Sequence, residues 1–303
     1  MNEKPHKESI IWTSEPVQMI NVKDKVSKLF DGLFNLSYPL QCLQFINTYT
    51  VEIEPDFLHG QEVYVLYIQE NNIKVIQTYT FRNLKLSHID LSRNGIQFVE
   101  NLAFANLSNL QQLTLEENKL TTLNPKAYEN LPTLEDLLLM KNYITQLGPS
   151  SLDFVKKKGF MLSISNNRIA NIDEDAFGGS NATNVYLFLE NNLLQQISVN
   201  IFQNRSFVEV RLTGNKIRTL TGNLEEQNFK IHVLKIENTF DKKSLESLLN
   251  WTMQNDITLV CETCVSTNIK NLGQPVHFQE GFSMVFPIFS LFVAGEFWSH
   301  KFL

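Results

Sequence analysis

Residues 86–96 read LSHIDLSRNGI and residues 110–120 read LQQLTLEENKL, so one eleven-residue pattern recurs 24 positions later. Its general form is L-x-x-L-x-L-x-x-N-x-L. The asparagines of the pattern, spaced by 23 to 25 residues, are Asn71, Asn94, Asn118, Asn142, Asn167, Asn192 and Asn215. Degenerate copies lie before and after these, so about nine turns are predicted between residues 40 and 240. A repeat of this period is the sequence signature of a solenoid.

Each position of the pattern has a physical role. Alternating pairs such as Leu113 and Leu115 point to one face of a short strand, and stacked turns place these strands in a parallel sheet. The asparagine amide can bond backbone groups of the neighbouring turn. A large side chain about ten positions further on is expected to fill the convex side, at Phe81, Phe104, Tyr128, Leu152, Phe177 and Phe202. One turn cannot bury its own apolar face, so the turns must stack.

The repeat resembles that of a known class. With Leu102-Ala103-Phe104 as its clearest A-F element, the unit is similar to the roughly 24-residue repeat of extracellular animal leucine-rich-repeat proteins. These include Toll-like receptor ectodomains, slit and connectin-type adhesion proteins and insect immune proteins. The resemblance implies an α/β leucine-rich-repeat solenoid, a horseshoe with a parallel β-sheet on the concave face and short irregular or 3-10 segments on the convex face. Fold does not specify partner.

The repeat also predicts the domain boundaries. Residues 1–37 form an N-terminal flank, in which Leu29, Phe30, Leu33 and Phe34 have helix-like spacing and could cap the first turn. The solenoid occupies residues 38–240 and an apolar C-terminal tail residues 273–303. Residues 241–272 are expected to form a helical segment that resembles the C-terminal cap of the family.

Charge and motifs argue against two function classes. The formal net charge is −6 and the pI about 5.6, whereas nucleic-acid binders are normally basic on at least one face. The sequence contains no G-x-S-x-G, H-E-x-x-H, Walker or G-x-G-x-x-G motif. We therefore expect a non-enzymatic protein with no cofactor and no metal.

The concave face is the predicted binding surface. Reading outward strand positions turn by turn gives mostly polar residues, except in turns five to seven. The apolar residues expected on adjacent strands there are Leu138, Met140, Met161, Tyr186 and Phe188, and the charged residues expected around them are Asp136, Glu190, Glu209 and Arg211. An apolar centre with a charged rim is typical of a protein-binding site. A flank folded over these positions would account for the same pattern.

Five N-x-S/T sequons are candidate glycosylation sites: Asn35, Asn106, Asn181, Asn204 and Asn250. Together with the resemblance they favour an extracellular or cell-surface glycoprotein, secreted or receptor-like, in adhesion, signalling or innate-immune recognition. The N-terminus shows no recognisable signal peptide, which favours the alternative of a cytoplasmic scaffold or regulatory adaptor.

The three cysteines are Cys42, Cys261 and Cys264. Cys42 occupies an outward strand position and is a candidate free thiol. Cys261 and Cys264 form a C-x-x-C, a spacing compatible with a redox pair or half of a zinc site. The resemblance implies instead a remnant of the cap's disulfides, as a Cys261–Cys264 bond or a link to another chain.

A protein is the expected partner, with a glycan as a second class and no nucleic acid. The resemblance also implies that side-by-side or disulfide-linked dimers, with a second copy or another protein, are compatible with the chain. The apolar stretch 282–294 is shorter than a membrane span and contains Pro287. It is compatible with a membrane contact or with packing over the last turn.

Overall fold

The structure is a computed structural model that describes residues 11–13, 18–128, 130–180, 182–225, 228–238, 240 and 242–261. These residues form many short strands and little helix. The first strands are β1 (Ile11–Thr13), β2 (Met19–Val22), β3 (Lys28–Leu29), β4 (Phe34–Leu36), β5 (Leu40–Ile46), β6 (Glu52–Ile53), β7 (Val63–Gln69), β8 (Val75–Ile76), β9 (Phe81–Arg82), β10 (His88–Asp90), β11 (Phe98–Val99) and β12 (Phe104–Ala105). The later strands are β13 (Gln112–Thr114), β14 (Asp136–Leu138), β15 (Gln146–Leu147), β16 (Met161–Ser163), β17 (Asn171–Ile172), β18 (Val185–Phe188), β19 (Gln196–Ser198), β20 (Ser206–Arg211), β21 (Thr219–Thr221), β22 (Lys230–Lys235) and β23 (Thr258–Val260). Two 3-10 turns cover Pro125–Ala127 and Val199–Phe202, and the helix α1 covers Lys242–Gln254.

One long parallel sheet defines the fold. Its eleven strands follow the order β2-β5-β7-β10-β13-β14-β16-β18-β20-β22-β23. Each neighbouring pair is parallel, with one strand from each turn. Two-stranded parallel ladders, such as β8 with β11, run along the returning side of the turns. The predicted leucine-rich-repeat solenoid is confirmed, with 3-10 segments on the convex side.

The core lies behind the sheet. In each turn the two alternating positions of the pattern are buried, as Leu113 and Leu115 show at 0% exposure. On the convex side all six predicted large side chains are buried. Several of them stack from turn to turn: the ring centroids of Phe81 and Phe104 lie 5.6 Å apart, and those of Phe104 and Tyr128 lie 6.1 Å apart. The apolar side chains of every turn are therefore buried against its neighbours.

The asparagine ladder joins the turns through backbone groups. Asn142 donates from Nδ2 to the Leu115 carbonyl at 2.9 Å, and its Oδ1 accepts from the Leu120 N–H at 3.0 Å. Both partners belong to the preceding turn. Asn167 and Asn192 repeat this arrangement. The predicted role of the asparagine is thus observed, and Asn238 extends the ladder by one turn beyond the predicted set.

The N-terminal flank differs from expectation. The residues with helix-like spacing lie in and around β3 and β4, so the predicted helical cap is wrong. Strand β2 pairs in register with β5, so the solenoid begins before residue 38. Leu29, Leu33 and Phe34 are buried in this additional turn. The same spacing occurs in two short strands joined by a turn. Here the strands form because they bury these apolar side chains.

The C-terminal end carries the single α-helix found among the described residues. Leu245, Leu248 and Trp251 of α1 are buried, and the Trp251 ring lies 5.6 Å from that of Phe229. Strand β23 then adds one more strand to the sheet. The tail 273–303 and residues 262–272 lie outside the described residues. Within the described part, no helix is long and apolar enough to cross a membrane.

Candidate functional site

The predicted concave patch is brought together by strand register. In one row Asp136 pairs with Met161, Met161 with Tyr186, and Tyr186 with Glu209. In the next row Leu138 aligns with Ser163, Phe188 and Arg211. Met140 and Glu190 follow the ends of β14 and β18. All nine predicted residues therefore lie on four consecutive turns, about 4.8 Å apart from strand to strand.

Exposure separates these residues into two groups. Leu138, Met140, Met161 and Tyr186 are half-buried, so each presents part of its apolar surface to the concave side. Phe188 is only 8% exposed, because the Arg211 guanidinium lies 4.0 Å from its ring centroid. The Tyr186 ring packs edge-on against it at 6.4 Å. The expectation that Phe188 faces a partner is therefore wrong: the cation of the next turn covers the ring.

The C-terminal side of the patch is a compensated charge network. Arg211 lies 2.8 Å from Glu209 and 3.6 Å from Glu190, and Lys235 lies 2.7 Å from Glu209. Burial by itself would raise the pKa of Glu209, but hydrogen bonds from Arg211 and Lys235 hold that pKa below its usual value. Both glutamates therefore already have cationic partners on the same sheet.

Asp136 lies on the opposite side of the patch in a different environment. Desolvation, reinforced by the nearby charge of Glu135, raises its pKa to about 6, and Lys157 offsets only part of this rise. No ion pair or hydrogen bond to the Asp136 carboxylate is found among the described residues. Its row neighbours are Gln112 and Met161, which carry no charge.

The N-terminal half of the concave face was only partly identified by sequence reasoning. Val65 and His88 precede Gln112 in the Asp136 row, and Tyr67 and Asp90 lie in the next row. Burial lowers the pKa of His88, whose Nδ1 lies 2.8 Å from the Ser87 hydroxyl oxygen. Strand register places Val65 on the concave face, a position that the sequence analysis did not name. The alternation of buried and outward residues around Leu66 could have identified it.

The cysteines occupy distinct positions. Cys42 is a free, half-buried thiol on β5, as predicted, and burial raises its pKa. Cys261 is 2% exposed, follows β23 and is disulfide-bonded. Cys264 lies outside the described residues, so its pairing with Cys261 stays a prediction. No cluster of three metal-ligating side chains occurs in the described residues.

Four of the five sequon asparagines can be placed. Asn35 on β4, Asn106, Asn204 and Asn250 on α1 are all exposed, whereas Asn181 lies outside the described residues. The Asn106 amide lies 3.1 Å from the Asn83 side chain. Exposure is required for glycan attachment, so each of the four remains a candidate site.

Comparison with known proteins identifies two matching families. Residues 85–144 match the family described as "Leucine rich repeat", and residues 154–261 match the one described as "BspA type Leucine rich repeat region (6 copies)". No curated protein sequence matches the chain.

Solved structures share the fold. The LRIM1/APL1C complex matches with a TM-score of 0.52 at 20% identity, covering 75% of this chain and 41% of that one. The TLR13–ssRNA13 complex matches with a TM-score of 0.50 at 20% identity, covering 66% and 32%. The APL1 leucine-rich repeat domain matches with a TM-score of 0.49 at 20% identity, covering 72% and 56%. The chain thus spans about half the length, or less, of these structures, and at this identity the likeness shows the fold alone.

Proposed function

The chain belongs to the leucine-rich-repeat proteins, and on that premise we propose that it is a non-enzymatic recognition protein that binds a protein partner on its concave sheet. One observation carries the proposal. Leu138, Met140 and Met161 present partly exposed apolar surface on neighbouring turns of a sheet face, between charged groups on both sides. A soluble protein retains contiguous apolar surface mainly where a partner covers it.

Two features support an extracellular role in adhesion, signalling or innate-immune recognition. Cys261 is disulfide-bonded, and structural disulfides persist in oxidising compartments. The four sequon asparagines that can be placed are exposed. The solved complex of LRIM1 with APL1C is a protein–protein complex, which makes a protein partner a reasonable first class to search. Enzymatic removal of N-linked glycans from the native protein tests the location.

The binding surface is tested with a matched pair of substitutions. The full chain is first used to probe an array of purified secreted proteins and receptor ectodomains. Each binder is then measured against Met161→Glu, on the concave sheet, and Met253→Glu, on an exposed position of α1. We expect Met161→Glu to weaken binding roughly tenfold or more, because it places a charge in the apolar centre of the site. Met253→Glu should bind as the wild type does.

The control variant makes the outcome decisive. Thermal unfolding curves establish that both variants are folded. Equal binding by Met161→Glu and the wild type for every identified partner would remove the concave patch as the site and contradict the proposal.

A further inference from the structure

The acids on the concave face differ in whether a cation of the same chain compensates them. At the C-terminal end Glu190 and Glu209 lie within 3.6 Å of Arg211, and Lys235 lies 2.7 Å from Glu209. These carboxylates need no further cation.

The N-terminal half carries two acids, Asp90 and Asp136, for which the described residues provide no ion pair. Its concave positions from β7 to β16 include Asp90, Glu116 and Asp136 but no lysine or arginine. Asp90 is held by neutral donors, namely the Ser92 backbone N–H at 2.8 Å, the Ser92 hydroxyl and the Gln69 amide. Glu116, by contrast, forms an ion pair with Lys141, 3.3 Å away at the edge of the sheet. Asp90 and Asp136 therefore remain without a cation on this face, and a cationic group of a partner would complement them.

Asp136 lies at the edge of the apolar patch. Its strand neighbours Gln112 and Met161 are uncharged, and Leu138 lies two residues further on the same face. Its carboxylate has neither an ion pair nor a hydrogen bond to any residue that the structure describes. A half-buried carboxylate beside aliphatic side chains matches a long cationic side chain, whose stem covers apolar surface while its head reaches the charge.

We infer that the partner inserts a lysine or arginine side chain into this corner of the concave face, where its cation pairs with Asp136 and its aliphatic stem covers Leu138 and Met161. The inference rests on the proposed function, because it specifies the chemistry of the partner at the same surface.

A displayed library of linear twelve-residue peptides, selected on the immobilised full chain, tests the inference even while the natural partner is unidentified. We expect selection to enrich peptides that contain lysine or arginine next to an apolar residue. Each enriched peptide is then measured against Asp136→Asn, which keeps the side-chain shape, and against Glu246→Gln, which removes one carboxylate from an exposed position of α1. Asp136→Asn should weaken binding about tenfold and Glu246→Gln should leave it unchanged.

Changing the peptide completes a double-mutant cycle. Replacing the critical peptide lysine or arginine by glutamine should cost about tenfold on the wild type and almost nothing on Asp136→Asn. Peptides that lack basic residues, a cycle without coupling, or a library that yields no binder would each overturn the inference. If selected peptides that fail these tests still bind Met161→Glu more weakly than the wild type, the concave site stands and only its assigned chemistry fails. If they bind Met161→Glu as tightly as the wild type, the proposed function fails as well.

Discussion

The ionised side chain of Asp136 lowers the stability of the folded chain at neutral pH. Its pKa is about 6 in the folded chain, against roughly 3.9 in an unfolded one. The folded state therefore holds the proton more tightly, and the free energy of unfolding should fall as the pH rises from about 4 to about 6. Above that range the ionised carboxylate remains as a constant cost. The uncharged neighbours on β13 and β16 offer it no cation.

Asparagine at this position should relieve the cost. One pKa unit corresponds to about 1.4 kcal/mol, but the carboxylate keeps contact with solvent, so we expect Asp136→Asn to gain only about 1 kcal/mol at pH 7.5. The gain should disappear below about pH 4, where both states of the wild type are protonated. Urea unfolding at the two pH values measures it, with Glu246→Gln as the control. A less stable Asp136→Asn at pH 7.5 would contradict the assignment of this carboxylate as uncompensated.

Phe188 shows where sequence reasoning is limited at the residue scale. Alternation along β18 correctly puts its side chain on the concave face, and register puts Arg211 beside it. Whether an arginine extends into solvent or folds over a neighbouring ring depends on rotamers and on partners such as Glu190, in the turn of Phe188, and Glu209, in the turn of Arg211. The pattern of one turn contains no information on that choice.

Among the elements, the stacked convex rings hold adjacent turns together. Phe104 is 1% exposed and its ring lies parallel to that of Phe81, at an interplanar angle of 5°. Its other face contacts Tyr128 of the following turn. Because each turn contacts only its neighbours, loss of one ring should weaken two interfaces at once.

Phe104→Ala should therefore lower the free energy of unfolding by about 3–5 kcal/mol, the usual range for truncating a buried phenylalanine. Phe98→Ala is the matched control, because Phe98 belongs to the same turn but is 47% exposed. Its effect should stay within about 0.5 kcal/mol. Denaturant unfolding of both variants distinguishes them, and similar losses would show that the convex stack does not hold the turns together.

The sequence pattern missed the first turn of the solenoid, which contains β2. Its neighbour has Thr48 and Thr50 where the later turns have the ladder asparagine and its surroundings. The Thr50 hydroxyl donates to the Val26 carbonyl at 2.7 Å, and the Thr50 N–H donates to Asn71 Oδ1 at 3.0 Å. Threonine thus carries out the bridging that asparagine performs elsewhere. This turn is still predicted as a degenerate copy of the repeat. The turn of β2 before it has Lys25 at the position aligned with Thr48, so the pattern gives no sign of it.

For the whole molecule, the cellular compartment determines whether the exposed sequons carry glycans and which proteins can be partners. We expect the native full-length protein to migrate faster on a denaturing gel after treatment with an enzyme that removes N-linked glycans. Substitution of Asn106, Asn204, Asn250 and Asn35 by glutamine, singly and together, should reduce the shift in steps. An unshifted band from a cytosolic pool would contradict the extracellular proposal and favour an intracellular adaptor.

The sequence alone determined the parallel solenoid, the two buried positions of each turn, the asparagine ladder and the strand row of Asp136, Met161 and Tyr186. These properties follow from a short period that is repeated many times, so each turn predicts its neighbours. The tertiary structure decided which concave acids have cations, that Arg211 covers Phe188, and that a turn precedes residue 38. These features depend on the reach of long side chains between turns and on desolvation, and neither quantity is periodic along the chain.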